Sequence, residues 1–386
     1  IYFMNKDTLK ISYYGPTKTQ DGIGLASKLH LDALKKNRCN DQFSLSLKEF
    51  SLSRSVGFQR STNLINKITI DQLYKENSQI NYFHFSPRWI NKYLGKKEIQ
   101  FLKGKINIGY WVCEAQKIPT NWIKNTDFFN EIWTASNFCK NVYEQHLDIP
   151  VKVINHPVQE REISQRLLKR SLDSNKEPFT FLTIANAFSD LKRKNCIAVI
   201  KAFKKAFKPN DLAVKLIVKL TNTESDLKEF NKIESLIKDS LNIQLINHHL
   251  TPNKIIELYK ESDTYVSLHR SEGFGLTISD AYSLGIPVIA TGYSGNLDIL
   301  LNKENSLLVN YELKKVGEKR LRYESDDIWA EPNIENAKEK MIKVKEEFKQ
   351  SFDEALKVRE ILRKDFNVNK IGENMINRIN YLIPNV

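Results

Sequence analysis

Long apolar runs are missing. No stretch of the 386 residues approaches the roughly 20 consecutive apolar side chains that a membrane-spanning helix needs, and no charged-then-apolar signal segment opens the sequence. A soluble, cytoplasmic protein is therefore expected. Ile1, Tyr2 and Phe3 precede the first methionine, Met4, and are set aside as the remnant of a tag or protease site. Cysteine is scarce: Cys39, Cys113, Cys139 and Cys196 lie far apart, with no Cys-x-x-Cys pair and no mixed Cys/His ligand cluster. Neither a disulfide framework nor a zinc site is indicated, and a reducing compartment fits. Short-period repeats, low-complexity tracts and recognised nucleic-acid motifs are also absent.

What remains is an ordinary globular composition, 41% hydrophobic and 27% charged. The length exceeds that of a usual single domain, so two domains with a ligand cleft between them are expected. A net charge of +13 is compatible with nucleic acid, an anionic membrane surface or phosphorylated substrates. The basic residues are spread over many helices, which argues against nucleic acid.

Apolar runs bounded by polar turns give strands at Leu9 to Tyr13, Asn81 to Phe85, Lys105 to Tyr110, Glu131 to Thr134 and Val151 to Ile154. After the first comes a glycine turn and an amphipathic helix, Leu25 to Leu34, with Leu25, Leu29 and Ala33 on one face. A charged stretch, Glu160 to Lys176, then separates this half from a second one. There Phe179 to Ile184, Val214 to Val218, Ile243 to Ile246, Thr264 to Leu268, Val288 to Ala290 and Leu307 to Val309 read as strands. Cys196 to Phe207 reads as a helix burying Val199, Ile200, Phe203 and Phe207 and leaving Lys201, Lys204, Lys205 and Lys208 in water. Alternation of strand and helix predicts two doubly wound α/β domains with parallel sheets, over residues 4–170 and 177–365. Long charged helices follow at Ile334 to Leu356 and Lys370 to Ile383; the segment 366–386 is expected to cross back to the first domain.

The chemistry concentrates in Ser271-Glu-Gly-Phe-Gly-Leu-Thr-Ile-Ser-Asp-Ala-Tyr-Ser-Leu-Gly285. It follows a strand directly and runs into a short helix ended by Gly285 and Pro287, which is where open α/β sheets bind ligands. Gly273 and Gly275 let the backbone around Phe274, Gly275 and Leu276 approach an anion, and the helix adds its positive end, an arrangement suited to a diphosphate. Glu272 and Asp280 are the acidic side chains of the loop and helix, able to accept hydrogen bonds from sugar hydroxyls. On the glycine pattern alone, a tight βα turn with two solvent-facing acids reads equally well.

The longer wording is more specific. Glu272, seven residues and Asp280 resemble the Glu, seven residues, Glu signature of glycosyltransferase family 4. Gly285-Ile-Pro-Val-Ile-Ala-Thr-Gly-Tyr-Ser-Gly-Asn-Leu-Asp298, Asn305-Ser-Leu-Leu-Val309 and Trp329-Ala-Glu-Pro332 resemble the runs that follow it there. The resemblance implies a GT-B fold, two Rossmann-like domains facing across a cleft, with retention of anomeric configuration and no divalent metal. It implies that Glu272 contacts the donor sugar, that the Phe274, Gly275 and Leu276 backbone contacts sugar and phosphate, and that Asp280 holds the ribose. Asp280 is one methylene shorter than the family's glutamate.

Asp190-Leu-Lys-Arg-Lys-Asn195 resembles the family's basic phosphate site, so Arg193 and above all Lys194 are expected to neutralise the departing nucleoside diphosphate. Many relatives carry a further arginine where Phe188 stands. Gly22-Ile-Gly24 is similar to the glycine-rich loop of the first domain, which serves the donor or the acceptor. Gly109-Tyr-Trp-Val-Cys-Glu114 resembles the segment flanking the reacting sugar, with Cys113 at the place of a histidine and Glu114 as the nearest polar substitute. His84, His156, His248 and His249 fall at strand ends and are assigned no catalysis.

The expectation is a retaining transferase moving a hexose, with mannose favoured, from a GDP- or UDP-linked sugar. The acceptor would be a glycan or a polyprenyl-diphosphate-linked saccharide, in surface polysaccharide assembly, with no cofactor beyond the sugar nucleotide. The basic charge would hold the enzyme peripherally on anionic inner-membrane lipid. A sugar-nucleotide epimerase or hydrolase of the same fold, and a silent scaffold, are the rival readings.

Overall fold

The computed structural model describes residues 8–19, 21–37, 43–49, 68–123, 126–173, 178–300, 307–320 and 322–383. Two compact units divide the chain. The first holds residues 1–113, 117–158 and 365–386, and the second holds 114–116 and 159–364. The passage to the second unit thus comes at Gln159 rather than after residue 170. Cys39, the segment 174–177 and Asn305 and Ser306 of the resembling run lie outside the described residues.

The first unit is built on a six-stranded parallel sheet. Its strands are β1 (Leu9–Gly15), β2 (Phe43–Glu49), β3 (Ile80–Phe83), β4 (Ile106–Tyr110), β5 (Glu131–Thr134) and β6 (Val151–Val153), in the order β2-β1-β3-β4-β5-β6. β2, which alternates Phe43, Leu45 and Leu47 with polar residues on the sheet edge, was not expected. β3 is buried throughout, as a central parallel strand covered on both faces must be.

Helix Gly22–Asn37 buries Ala26, Leu29, His30, Ala33 and Leu34. The helix Val368–Leu382 packs against it so closely that a Cβ on Gly372 would lie 2.3 Å from the Ala33 carbonyl oxygen. That helix also carries Arg378, whose Nε donates to both oxygens of the buried Glu131, at 2.8 and 3.1 Å. Glu131 accepts a further bond from Trp133 Nε1 at 2.7 Å.

The second unit repeats the plan with β7 (Phe179–Asn186), β8 (Val214–Thr221), β9 (Ile243–Asn247), β10 (Thr264–Ser267), β11 (Val288–Thr291) and β12 (Leu308–Val309). Its order, β12-β11-β10-β7-β8-β9, reverses direction between β7 and β10. Helix Cys196–Ala206 buries Val199, Ile200 and Phe203 and leaves Lys201 and Lys205 exposed. Helix Gln165–Leu172 is fastened to this unit by Arg166 and Arg170, whose Nε atoms lie 3.0 and 2.6 Å from Oδ1 of the fully buried Asp263. Asp263 Oδ2 accepts from Thr180 N at 2.7 Å, so the carboxylate is satisfied on both sides.

Two further strands were not anticipated. β13 (Tyr311–Lys315) and β14 (Ile328–Pro332) form an antiparallel ribbon whose connecting return carries Arg320, Arg322 and Tyr323. The single helix expected over Ile334 to Leu356 is two, Ile334–Glu346 and Phe348–Asp365, parted at Glu347. No helix among the described residues is long and apolar enough to cross a membrane.

Candidate functional site

The reversal between β7 and β10 leaves a crevice beyond the carboxyl ends of these strands, the position at which doubly wound sheets bind ligands. The loops after β7, β10 and β11 meet there.

After β7, Asp190 adopts φ +74° and ψ 102°, an unusual backbone for a residue with a side chain. Its carboxylate accepts from Lys192 N at 3.0 Å and Arg193 N at 3.3 Å, starting the short helix Leu191–Lys194. It also receives Arg320 Nε at 3.0 Å on each oxygen. Asn195, in the left-handed conformation, ends that helix. Arg193 and Lys194 are thereby fixed at consecutive positions.

The two cations behave differently. Arg193 is 3% exposed, and its Nη1 donates to Ser271 O at 2.6 Å while Nε and Nη2 donate to Ser189 O at 3.2 and 2.9 Å. Its own carbonyl accepts from Arg270 N at 2.8 Å. Arg193 is thus a brace between the loops after β7 and β10. Lys194 is the more exposed of the two, 17% against 4%, and its Nζ donates to Glu272 Oε1 at 2.6 Å.

After β10, Glu272 is anchored through its backbone. Its N donates to Ser294 Oγ at 2.8 Å, and its carbonyl accepts from Gly295 N at 2.9 Å. Ser294 has φ +74° and ψ −152°, a region that favours glycine, so strain is concentrated at the residue that holds the Glu272 amide. Burial alone would raise the Glu272 carboxyl, but Lys194 and Arg193 outweigh it and hold the group down at about 2. It is an anion at neutral pH.

Gly275 caps the helix Leu276–Ser283 with φ +92°, and no side chain bonds back to that cap. A Cβ here would stand 3.2 Å from Ile278 Cδ1 and 3.4 Å from Asn296 Cβ, so both conformation and space call for glycine. Phe274 beside it is buried, and Leu276 opens the helix. The helix start follows the loop that carries Glu272 and brings a partial positive charge to it.

Glu114 belongs to the second unit and joins the cluster. Its carbonyl accepts from Ser271 Oγ and, at 3.1 Å, from Tyr323 Oη. Its carboxylate pairs with Arg322 and lies 3.6 Å from Arg193 Nη2. Burial pushes this carboxyl up, Arg322 and Arg193 pull it down, and the net shift is downward.

Four of the expected residues have other surroundings. Asp280 lies 3.4 Å from Arg161 Nη2; burial raises its carboxyl and Arg161 only partly offsets this. Cys113 is buried in the first unit, where its carbonyl accepts from Cys139 Sγ at 3.1 Å. Gly22 and Gly24 open the first helix of that unit, with Gly24 N donating to Asp21 Oδ1 at 2.8 Å. A Cβ on Gly24 would come within 2.1 Å of Thr19 O, so the close approach that demands glycine is made by the chain's own turn.

The sequence reading missed Arg320, Arg322, Ser294 and His269. His269 is wholly buried beside Asn296, and burial holds its imidazole neutral, down at about 4. Asn296, on the loop after β11, is likewise buried, and its Nδ2 donates to Thr291 O at 3.0 Å. The usable signal for His269 was its place at a strand end three residues before Glu272. Among the described residues no three His, Cys, Asp or Glu side chains gather to hold a metal ion.

Residues 164–347, most of the second unit, match the model of glycosyl transferases group 1. Over 130 residues the chain is 27% identical to the capsular polysaccharide biosynthesis glycosyltransferase CapM of Staphylococcus aureus. That stretch is 33% of each protein, so the chain covers about a third of this relative. Among solved structures, Anabaena HepE in complex with UDP and glucose superposes with a TM-score of 0.65 at 14% identity, covering 97% of this chain and 100% of that one. The pneumococcal O-GlcNAc transferase GtfA, with UDP and GlcNAc, gives 0.55 at 15% identity over 79% of this chain and 57% of that one. The chain has the two-domain α/β GT-B fold, and its second unit carries the match to glycosyl transferases group 1.

Proposed function

We propose that this protein transfers a sugar from a nucleoside-diphosphate donor bound at the β7/β10 crevice. The observation that carries the reading is the Lys194–Glu272 pair beside the Gly275 helix start: an ammonium and a helix terminus for the diphosphate, and an ionised carboxylate for the sugar hydroxyls. The group 1 match over this unit and the UDP held by HepE and GtfA support it. Lys194 would neutralise charge growing on the departing diphosphate, a transition-state effect. Arg193 keeps the loops after β7 and β10 in register for that task.

Within this reading the sugar is a hexose, delivered with retention and without a divalent metal. The acceptor is a glycan or a lipid-linked saccharide in surface polysaccharide assembly, in line with the likeness to CapM. Asp280 serves the ribose once Arg161 is displaced or bridged by water. Cytoplasmic placement against anionic lipid is part of the same proposal, resting on the net charge of +13.

A thermal-shift panel of GDP- and UDP-linked sugars identifies the donor, because a ligand that binds the native state raises its melting temperature. Radiolabelled transfer and the anomeric configuration of the product follow. Absence of stabilisation by every nucleotide sugar, or transfer undiminished in both Glu272→Ala and Lys194→Ala, would end the reading.

A further inference from the structure

The β13–β14 ribbon has an open edge. Among the described residues β13 pairs with β14 alone, and every residue from Tyr311 to Lys315 is exposed. Val316 N donates to Asp327 O and Asn333 N to Asn310 O, both at 2.8 Å, in the register that sets Leu313 opposite Ala330. Antiparallel strands alternate between residues that bond inward and residues that bond outward. Glu312 and Lys314 therefore bond to β14, and the N–H and C=O groups of Tyr311, Leu313 and Lys315 point away from it. Such an unpaired row is a template for another strand.

The side chains specify which strand. Tyr311-Glu-Leu-Lys-Lys315 is self-complementary when two copies run antiparallel about Leu313. Leu313 then meets its own counterpart, Tyr311 meets Lys315 of the second copy, and Glu312 meets Lys314 of the second copy. Every outward-bonding residue faces another, so about six main-chain hydrogen bonds close the joint. Glu312 and Lys314 lie 3.3 Å apart with side chains 77% and 55% exposed, so four charges alternate in sign across it. A slip of two residues in either direction, the smallest that keeps outward groups paired, sets Glu312 against Glu312 or Lys314 against Lys314. Edge lysines ordinarily discourage pairing, but in this register each one meets a carboxylate or an aromatic ring.

We propose that β13 is a self-association edge, through which a second copy of this chain adds its own β13 antiparallel about Leu313 and the two ribbons merge into one sheet. The inference is independent of the donor reading. So short an edge buries little surface and makes a weak dimer. Sedimentation velocity of the whole chain is therefore followed up to roughly 200 µM, where a dimer of micromolar affinity is well populated. The wild type is compared with Glu312→Lys, Lys314→Glu, the chain carrying both changes, and an equimolar mixture of the two single variants. Both positions are exposed, and thermal melting checks that each variant folds.

The wild type should dimerise with rising concentration. Each single variant should associate about tenfold more weakly, because it sets like charges opposite one another at two places. The two changes move the net charge in opposite directions, so a shared loss cannot come from overall repulsion. The doubly changed chain and the mixture should recover wild-type association. A wild type that stays monomeric throughout overturns the proposal. So does a dimer that the single variants leave intact, or one that neither the doubly changed chain nor the mixture restores.

Discussion

Lys194 Nζ stands 2.6 Å from Glu272 Oε1, joining the loop after β7 to the loop after β10 across the point where the strand order reverses. Lys194 helps hold the buried Glu272 carboxylate ionised. An arriving sugar diphosphate would meet both charges already formed and oriented, so little reorganisation is left for the reaction itself.

Lys194→Met therefore separates function from stability. Transfer should fall on the order of 10²-fold, the usual cost of losing one positioned charge in a transition-state site. Stability should fall by only about 1–3 kcal/mol, because Glu272 keeps Arg193. Steady-state rates beside urea denaturation decide it; a variant that unfolds but, when folded, transfers normally would make Lys194 structural.

Gly275→Ala puts a side chain at φ +92° and against Ile278 and Asn296. A penalty of about 1–2 kcal/mol is expected from the backbone alone. Because the same residue caps the helix that follows the Glu272 loop, nucleoside-diphosphate affinity should fall by more than stability predicts. Paired calorimetry and thermal melting on this variant test the excess.

Asp263→Asn removes the charge that Arg166 and Arg170 share, just before the start of β10 and not at its carboxyl end. Breaking such a buried network costs roughly 3–5 kcal/mol. The urea midpoint should drop sharply while nucleotide affinity of the folded fraction is kept. Loss of affinity at unchanged stability would contradict this division.

The first unit should weaken in acid. His30, His84 and His156 are buried among Tyr13, Tyr82 and Tyr110, with His84 Nδ1 2.9 Å from Tyr13 Oη and His30 Nε2 3.2 Å from His156 Nδ1. Burial holds all three below the ordinary imidazole value, His156 at about 3. Below pH 6.5 the unfolded chain takes up protons that the folded unit refuses, so stability is full above that pH and declines beneath it. The slope is at most about 1.4 kcal/mol per pH unit for each histidine. Melting temperatures from pH 7.5 to 5.5 should show it, and His84→Phe should reduce the slope by roughly a third.

Much of this was legible in the order of residues, for identifiable reasons. Parallel strands are covered on both faces, so β3, β4, β7 and β10 write themselves as short apolar runs between turns. β2 sits on the sheet edge with polar residues between its apolar ones, and β13 is exposed along its whole length, so neither produced such a run. In the site, Glu272, Lys194 and Gly275 were singled out through the family resemblance, because the glycine pattern alone reads equally well as a tight βα turn. Arg322 was not, since a guanidinium in a charged return looks like any solvated one until the fold brings Glu114 to it. The committed state of Arg193 was equally hidden, because carbonyl partners leave no mark on a sequence.

The bond between Arg378 and Glu131 has a consequence for how the protein is made. The two residues are 247 positions apart in one folding unit, and a whole second unit is synthesised between them. At roughly 5–20 residues per second, Glu131 waits about 10–50 s after translation before its guanidinium exists. During that interval the nascent first unit has a sheet but lacks the helix that covers its outer layer. A chaperone, or an early-formed second unit, has the longest opportunity to act there.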